Sequence, residues 1–323
     1  MSSPILLAYD FDGEGGGKSV SDKAIARELK KKNLAWVHLD LNHPDTKEWL
    51  DREISYLDPF VVDALLADET RPRIAEIGDG AIIILRGVNL NENADPEDMV
   101  SIRMWVDNER IISVQRRKLQ AVLDLEDRLK AGKGPRNSGQ FLNMLLSCLS
   151  DRMAPVLLEL DEATDDVEEQ ILDNPDTAFR EKIIDIRKEA IILRRYMAPQ
   201  KDAIGQLRLA EFTWLDPGQK RHLQENYDHS MRYVEDLDAI RERAQIVKDE
   251  LANIIADRLN RNLYVLSVIA AIFLPLGFLT GLLGINVGGI PGSEDPYAFF
   301  VFCGMLIILV IIQILLFKKL KWF

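Results

Sequence analysis

The chain has 323 residues, of which 47% are hydrophobic and 28% charged, and its formal net charge at pH 7 is −12. This charge excludes a nucleic-acid-binding protein, because phosphate recognition needs a basic face, and the apolar content excludes a disordered chain. Two cysteines, Cys148 and Cys303, are too few for a disulfide framework or a Cys-rich zinc site. A mean hydropathy of −0.07 beside so much charge indicates a soluble acidic part and a strongly apolar part.

Residues 1–139 alternate short β-rich runs with helical patterns, which predicts a cytoplasmic α/β domain with a mixed sheet. The predicted strands are Ile5–Phe11, Ala35–Leu41, Arg73–Ile77, Ala81–Val88, Val100–Val106 and Arg110–Gln115. The predicted helices are Ser21–Lys31, Asp45–Glu53, Pro59–Ala67 and Lys118–Lys130. The run Asp12–Ser19 is similar to a phosphate-binding loop, but Asp12 replaces the first required glycine and Glu14 adds a negative charge. We therefore predict a flexible acidic turn there.

Beyond Gly139 the strand pattern stops, and residues 140–262 predict a helical stalk region. Three long helices are predicted: Gln140–Asn174, Asp176–Ala198 ended by Pro199, and one that starts near Pro217. The third pattern meets no further proline until Pro275, so a continuous helix would cover about 57 residues. The alternative is a break near Ala252–Asn253 that leaves two ordinary helices.

Two uncharged runs, 263–283 and 298–317, form the apolar part of the chain. Each has the roughly 20 residues that an α-helix needs to cross a bilayer, which favours two membrane spans over buried core helices. Arg258 and Arg261 precede the first run and lysines occupy the tail, 318–323, whereas the loop 284–297 contains neither Lys nor Arg. The positive-inside rule therefore predicts that both termini are cytoplasmic, and the first twenty residues lack the features of a signal peptide. The predicted fold class is an α+β membrane protein with a transmembrane domain at 263–323.

Two spans cannot enclose a water-filled path, so any conduction requires several copies around an axis. Steps of three or four residues along the third helix collect small or polar side chains on one face, which we call the stripe. The stripe consists of Asp249, Asn253, Ala256, Asn260, Leu263, Ser267, Ala270, Leu274, Gly277 and Gly281. It is interpreted either as the wall of a pore or as plain helix packing, which small residues also favour in membranes.

The loop after the first span, GINVGGIPGSEDPY, is too rich in glycine and proline for a regular helix. Non-helical backbone beside a bilayer is tolerated where it lines water or protein, and here it would offer carbonyl oxygens together with the Asn286 amide to a cation. Glu294 and Asp295 would form an acidic ring in an oligomer and concentrate cations at a pore mouth. The alternative is a simple turn between two membrane anchors.

The triplet Gly284-Ile285-Asn286 at the end of the first span resembles the Gly-x-Asn signature of the CorA-type divalent metal ion transporter family. The stretch through Gly292 resembles its ZntB-like zinc transport branch, and Thr70–Arg73 and Arg194–Gln200 match further stretches of the family. This resemblance implies a funnel-shaped homopentamer in the inner (plasma) membrane, with the third helix around the pore and the second span outside it. It also implies that Gly284, Ile285 and Asn286 form the pore entrance, with Asn286 and the Gly284 backbone as the selectivity ring.

The residues of the chain do not by themselves identify which divalent cation is transported. Zinc prefers His or Cys ligands, but all four histidines precede the spans. His222 and His229, seven residues apart, are candidate cytoplasmic zinc ligands. Carbonyl, amide and carboxylate oxygens suit Mg²⁺ at least as well.

The function implied by the resemblance is therefore divalent cation transport, with zinc first and proton-linked uptake as an option. The alternatives are a magnesium, cobalt or nickel channel of the same family and, from another class, a membrane-tethered sensor of a cytoplasmic ligand. We expect no enzymatic activity and no permanently bound cofactor. The expected partners are further copies of the chain, membrane lipid and the transported Zn²⁺, Mg²⁺, Co²⁺ or Ni²⁺.

Overall fold

The computed structural model describes residues 3–31, 33–68, 71–173, 176–284, 292 and 295–319. The chain divides into two compact units, Met1–Asp249 and Glu250–Phe323. The division at residues 139 and 262 that the sequence suggests stays a prediction.

A seven-stranded mixed sheet of order β2-β1-β3-β7-β6-β5-β4 forms the centre of the first unit. Its strands are β1 (Ile5–Phe11), β2 (Gly17–Ser19), β3 (Ala35–Asp40), β4 (Arg73–Ile77), β5 (Gly80–Gly87), β6 (Val100–Val106) and β7 (Arg110–Gln115). β3 and β7 run parallel, with Trp36 opposite Ile111, and the other pairs are antiparallel. The predicted mixed sheet is confirmed, and all six predicted strands lie within one residue of those observed.

The helices are α1 (Asp22–Glu28), α2 (Thr46–Glu53), α3 (Pro59–Leu66), α4 (Gln120–Lys130), α5 (Ser138–Asp173), α6 (Phe179–Leu209), α7 (Pro217–Leu283) and α8 (Ala298–Lys319). Successive side chains of a strand point to opposite faces of a sheet, so each face has its own apolar core. Trp36 and Ile83 pack with α4, α5 and the end of α6, whereas Val37 and Ile84 pack with α1–α3. Because α5 and α6 complete one of these cores, the sheet and the long helices form a single packed unit.

The predicted acidic turn follows β1, and it leads into a short strand, β2, that the sequence does not predict. The Asp12 carboxylate accepts hydrogen bonds from the backbone N–H groups of Glu14 (2.7 Å) and Gly16 (2.9 Å). These bonds lower the pKa of Asp12 and turn the chain back, so that Gly17 pairs with Phe11 and Ser19 with Tyr9.

The predicted end of the second long helix at Pro199 is wrong, since α6 continues to Leu209. A proline inside a helix removes one backbone hydrogen bond, but the following turns bury Ala203, Ile204 and Leu207 in the core. The Gln200 side chain also accepts a hydrogen bond from the Arg86 backbone N–H at 2.7 Å. Tertiary packing therefore outweighs the local effect of the proline.

The third long helix is continuous, as the spacing of prolines predicts. α7 runs from Pro217 to Leu283 without a break at Ala252–Asn253, so the alternative of two ordinary helices is wrong. Within the first unit, Arg243 of α7 lies among the carboxylates of Asp161, Asp165 and Glu168 of α5. This ion-pair cluster ties α7 to α5.

An acidic groove between α5 and α6 predicts a pH-dependent stability. Burial, and then the charges of Glu97, Glu159 and Asp95, raise the pKa of Glu189 from 4.5 to about 7. The native state therefore favours neutral Glu189, and its contribution to stability is complete below pH 4.5 and is lost as the pH rises through 7. We expect Glu189→Gln to reduce the fall in Tm of the detergent-solubilised chain between pH 5 and 8. Glu181→Gln, at an exposed position of the same helix, is the matched control and should leave that fall unchanged.

Candidate pore-lining helix and its outer end

The stripe of α7 is exposed along its whole length. All ten of its residues, Asp249 in the first unit and nine in the second, are exposed in the chain. The residues of α7 turned toward α8 lie elsewhere on the helix: Val268 is buried, and Ala271, Pro275 and Leu279 are half-buried. At 100° per residue the centres of these two faces are about 105° apart. The contact with α8 therefore leaves most of the stripe uncovered, and Gly277 lines a groove with Leu306 and Val310 of α8.

The polar members of the stripe offer a cation oxygen ligands, and none of them carries an imidazole nitrogen or a sulfur. The Ser267 hydroxyl donates to the Leu263 carbonyl at 2.8 Å, so its hydrogen is satisfied within the helix and its lone pairs face outward. The Asp249 carboxylate accepts from the Gln245 amide at 2.9 and 3.0 Å. Oxygen atoms of this kind suit hard cations or the water shell of a hydrated ion.

The C-terminal end of α7 requires a glycine. The Gly284 N–H donates to the Thr280 carbonyl at 2.9 Å, and a Cβ at position 284 would lie 2.7 Å from that oxygen. Real Cβ atoms essentially never come so close, so any other residue forces the helix end to shift. The structure thereby gives a steric reason for the first residue of the triplet. Ile285, Asn286 and Glu294 lie outside the described residues.

Asp295, predicted as part of an outer acidic ring, has a structural task as well. Its carboxylate accepts from the Tyr297 backbone N–H at 2.9 Å, and its carbonyl accepts from the Ala298 N–H at 3.1 Å. Asp295 therefore caps the start of α8, as acidic residues do at helix N-termini. The residue is exposed.

His222 and His229 both line a cavity of about 770 Å³ in the first unit. The Nδ1 atom of His222 lies 3.2 Å from a Glu225 carboxylate oxygen, whereas that of His229 lies 3.2 Å from the Arg232 guanidinium. Within the part of the chain that the structure describes, no three His, Cys, Asp or Glu side chains converge on a metal position. Their role as zinc ligands therefore stays a prediction that needs ligands from a second copy.

The stretch Arg194–Gln200 anchors α6 to its neighbours, a role that the sequence did not reveal. The Arg86 guanidinium of β5 lies 4.1 Å from the centre of the Tyr196 ring, and Arg194 pairs with Asp238 of α7 at 2.6 Å. A cation over an aromatic face is attractive. The motif thus joins the sheet, α6 and α7 within the first unit.

Among the described residues, three helices are long and apolar enough to cross a membrane: α5, α7 and α8. In α5, more than half of the most apolar segment is buried. The corresponding segment is only 6% buried in α7 and is not buried at all in α8. Continuous exposed apolar surface of this extent marks a face that meets lipid or protein.

The chain is similar to known transport proteins over nearly its whole length. The family model described as CorA-like Mg2+ transporter protein matches residues 31–319. The zinc transport protein ZntB of Yersinia enterocolitica is 37% identical over 320 residues, which cover 99% of this chain and 96% of that protein. The divalent cation transporter CmaX of Pseudomonas aeruginosa is 36% identical over 321 residues, which cover 98% and 96% of the two proteins.

A solved structure of full-length CmaX matches the fold with a TM-score of 0.86 at 36% sequence identity, covering 98% of both chains. Its agreement extends over both compact units. Because the family model and near-full-length relatives agree, the chain belongs to the CorA-like Mg2+ transporter family, whose members are transporters and not enzymes.

Proposed function

We propose that this chain transports divalent cations, zinc first among them, through a pore that several copies form around the stripe of α7. The observation that carries the proposal is that the stripe is mostly small or polar, is exposed, and is centred about 105° around α7 from the face that contacts α8. Within the proposed span 263–283, a helix that only anchored the chain in lipid would gain nothing from the exposed Ser267.

The proposed membrane arrangement has two spans, 263–283 and 298–317, with both termini in the cytoplasm of a cell whose inner membrane holds the protein. Arg258 and Arg261 before the first span and Lys318 and Lys319 after the second support this orientation. The apolar side chains of α7 and α8 in this region are largely exposed, as contact with lipid requires.

The proposed assembly is a funnel-shaped homopentamer. A pair of helices cannot surround an aqueous path, so the pore must come from several copies in a closed ring. In this ring α7 is innermost, α8 forms the outer layer, and Gly284, Ile285 and Asn286 mark the outer entrance. The number five follows from kinship with the family.

The choice of zinc over magnesium is supported by the similarity to ZntB of Yersinia enterocolitica, a zinc transport protein. The stripe offers only oxygen ligands, so the proposed ion passes with much of its water shell and is not bound by a tetrahedral zinc site. Proton-linked uptake, if present, depends on Asp249, Glu294 or Asp295, since neither span contains an acid or a histidine.

Metal flux into proteoliposomes tests this proposal, with Zn²⁺ and Mg²⁺ compared at set pH gradients. We expect the wild-type chain to move Zn²⁺, and Asn286→Ala to reduce the flux by at least tenfold because the amide collar at the entrance is lost. The variant should still elute as the same oligomer as the wild type. Unchanged flux through the Asn286→Ala variant would show that the triplet 284–286 does not form the pore entrance. A monomeric wild type would contradict the proposed homopentamer.

A further inference from the structure

The first predicted span carries a proline at its middle. Pro275 has no backbone N–H, so the carbonyl of Ala271, four residues earlier in α7, loses its usual helical partner. Within a bilayer no water can take the place of the missing donor, and an unsatisfied carbonyl is costly.

A side chain from the other helix of the second unit reaches this carbonyl. The Gln313 side chain of α8 donates from Nε2 to the Ala271 carbonyl oxygen at 3.3 Å. Gln313 is the one strongly polar residue of the uncharged run 298–317. This bond also fixes the orientation of the Gln313 amide group, since a flipped amide would place its oxygen against the carbonyl oxygen of Ala271.

We propose that Gln313 is a positioning residue that replaces the hydrogen bond removed by Pro275 and thereby fixes α8 to the proline turn of α7. Ala270 and Leu274 of the stripe are the chain neighbours of Ala271 and Pro275, so the bond fixes the turn of α7 that carries this part of the proposed pore wall. The part of this inference that concerns transport rests on the proposed function, whereas the structural part does not.

The hydrogen bond between Gln313 and the Ala271 carbonyl predicts a coupling between positions 313 and 275 that a purely space-filling role for Gln313 does not predict. Gln313→Leu keeps the approximate volume but leaves the Ala271 carbonyl without a donor. Pro275→Ala restores the backbone N–H to that carbonyl and makes the glutamine dispensable. The two substitutions should therefore be strongly non-additive.

The experiment measures the Tm of the detergent-purified full chain and its Zn²⁺ flux in proteoliposomes for the wild type, both single variants and the double variant. We expect Gln313→Leu to lower the Tm and to reduce flux about fivefold, the factor that one average hydrogen bond contributes. Pro275→Ala alone should stay close to the wild type, and the double variant should recover the Tm and the flux of Pro275→Ala.

The outcomes separate the two ideas. A Gln313→Leu variant that matches the wild type overturns the inference, as does a defect that Pro275→Ala leaves uncorrected. If Gln313→Leu fails to fold, recovery of a folded double variant supports the inference and its absence overturns it. A wild type that carries no ion counts against the proposed function alone, and the Tm values then still decide the role of Gln313.

Discussion

A cysteine at position 267 is expected to make transport sensitive to water-soluble thiol reagents. Ser267 lies at the middle of the stripe and is exposed, and in the proposed assembly its side chain faces the aqueous path. A charged thiosulfonate attached to Ser267→Cys would place a bulky group and a positive charge in the pore. We expect the flux of Zn²⁺ to fall by at least tenfold after modification, because like charge and lost volume both oppose the cation.

The chain offers a clean background and a matched control for this experiment. Cys303 is removed as Cys303→Ser, and Cys148 stays because burial raises its pKa to about 11, which keeps the thiol protonated and unreactive. Ile269→Cys is the control, since two residues along a helix are about 200° apart and Ile269 is similarly exposed. Slow labelling of position 267 together with rapid labelling of position 269 would place the stripe against lipid or protein and contradict the pore.

Gly284→Ala is expected to abolish most transport without unfolding the protein. The added Cβ would lie 2.7 Å from the Thr280 carbonyl oxygen, so the last turn of α7 must open and the residues after it must move. A displacement of about 1 Å at a selective site is enough to lose much of its function. We therefore expect at least a tenfold loss of Zn²⁺ flux, with little change in Tm.

Gly304→Ala is the matched control for this substitution. A Cβ at Gly304 of α8 meets no atom within 4 Å, and alanine is the better helix former at an interior position. Its flux should stay within about twofold of the wild type. Equal losses in the two variants would show that the effect comes from adding a methyl group to the membrane helices in general.

The sheet was predictable because its signal is local. The strands β1, β4, β6 and β7 match the predicted ranges, since each is a short β-rich run between turn residues. The parallel pairing of β3 with β7 was not predictable, because residues 75 positions apart meet only after the whole sheet has formed.

Failures occurred where tertiary contacts outweigh local preference. Pro199 ends a helix in isolation, but the buried residues after it keep α6 helical. β2 has too few residues to show a pattern and depends on the hydrogen bonds of Asp12. The stripe followed from helical periodicity, whereas the structural tasks of Gly284 and Asp295 required the positions of Thr280 and Tyr297. The contact between Gln313 and the proline turn could have been predicted, because the sequence shows one amide side chain in one predicted span and one proline in the other.

The burial of the apolar segment of α5 bears on the number of times that the chain crosses the membrane. A count by hydropathy alone gives three crossing segments, and an odd number would place the two ends of the polypeptide in different compartments. The side chains of α5 instead complete the core beneath the sheet, which supports the proposed arrangement of two crossings. Epitope tags fused to the two ends should accordingly be shielded together in intact cells and become accessible together once the membrane is permeabilised.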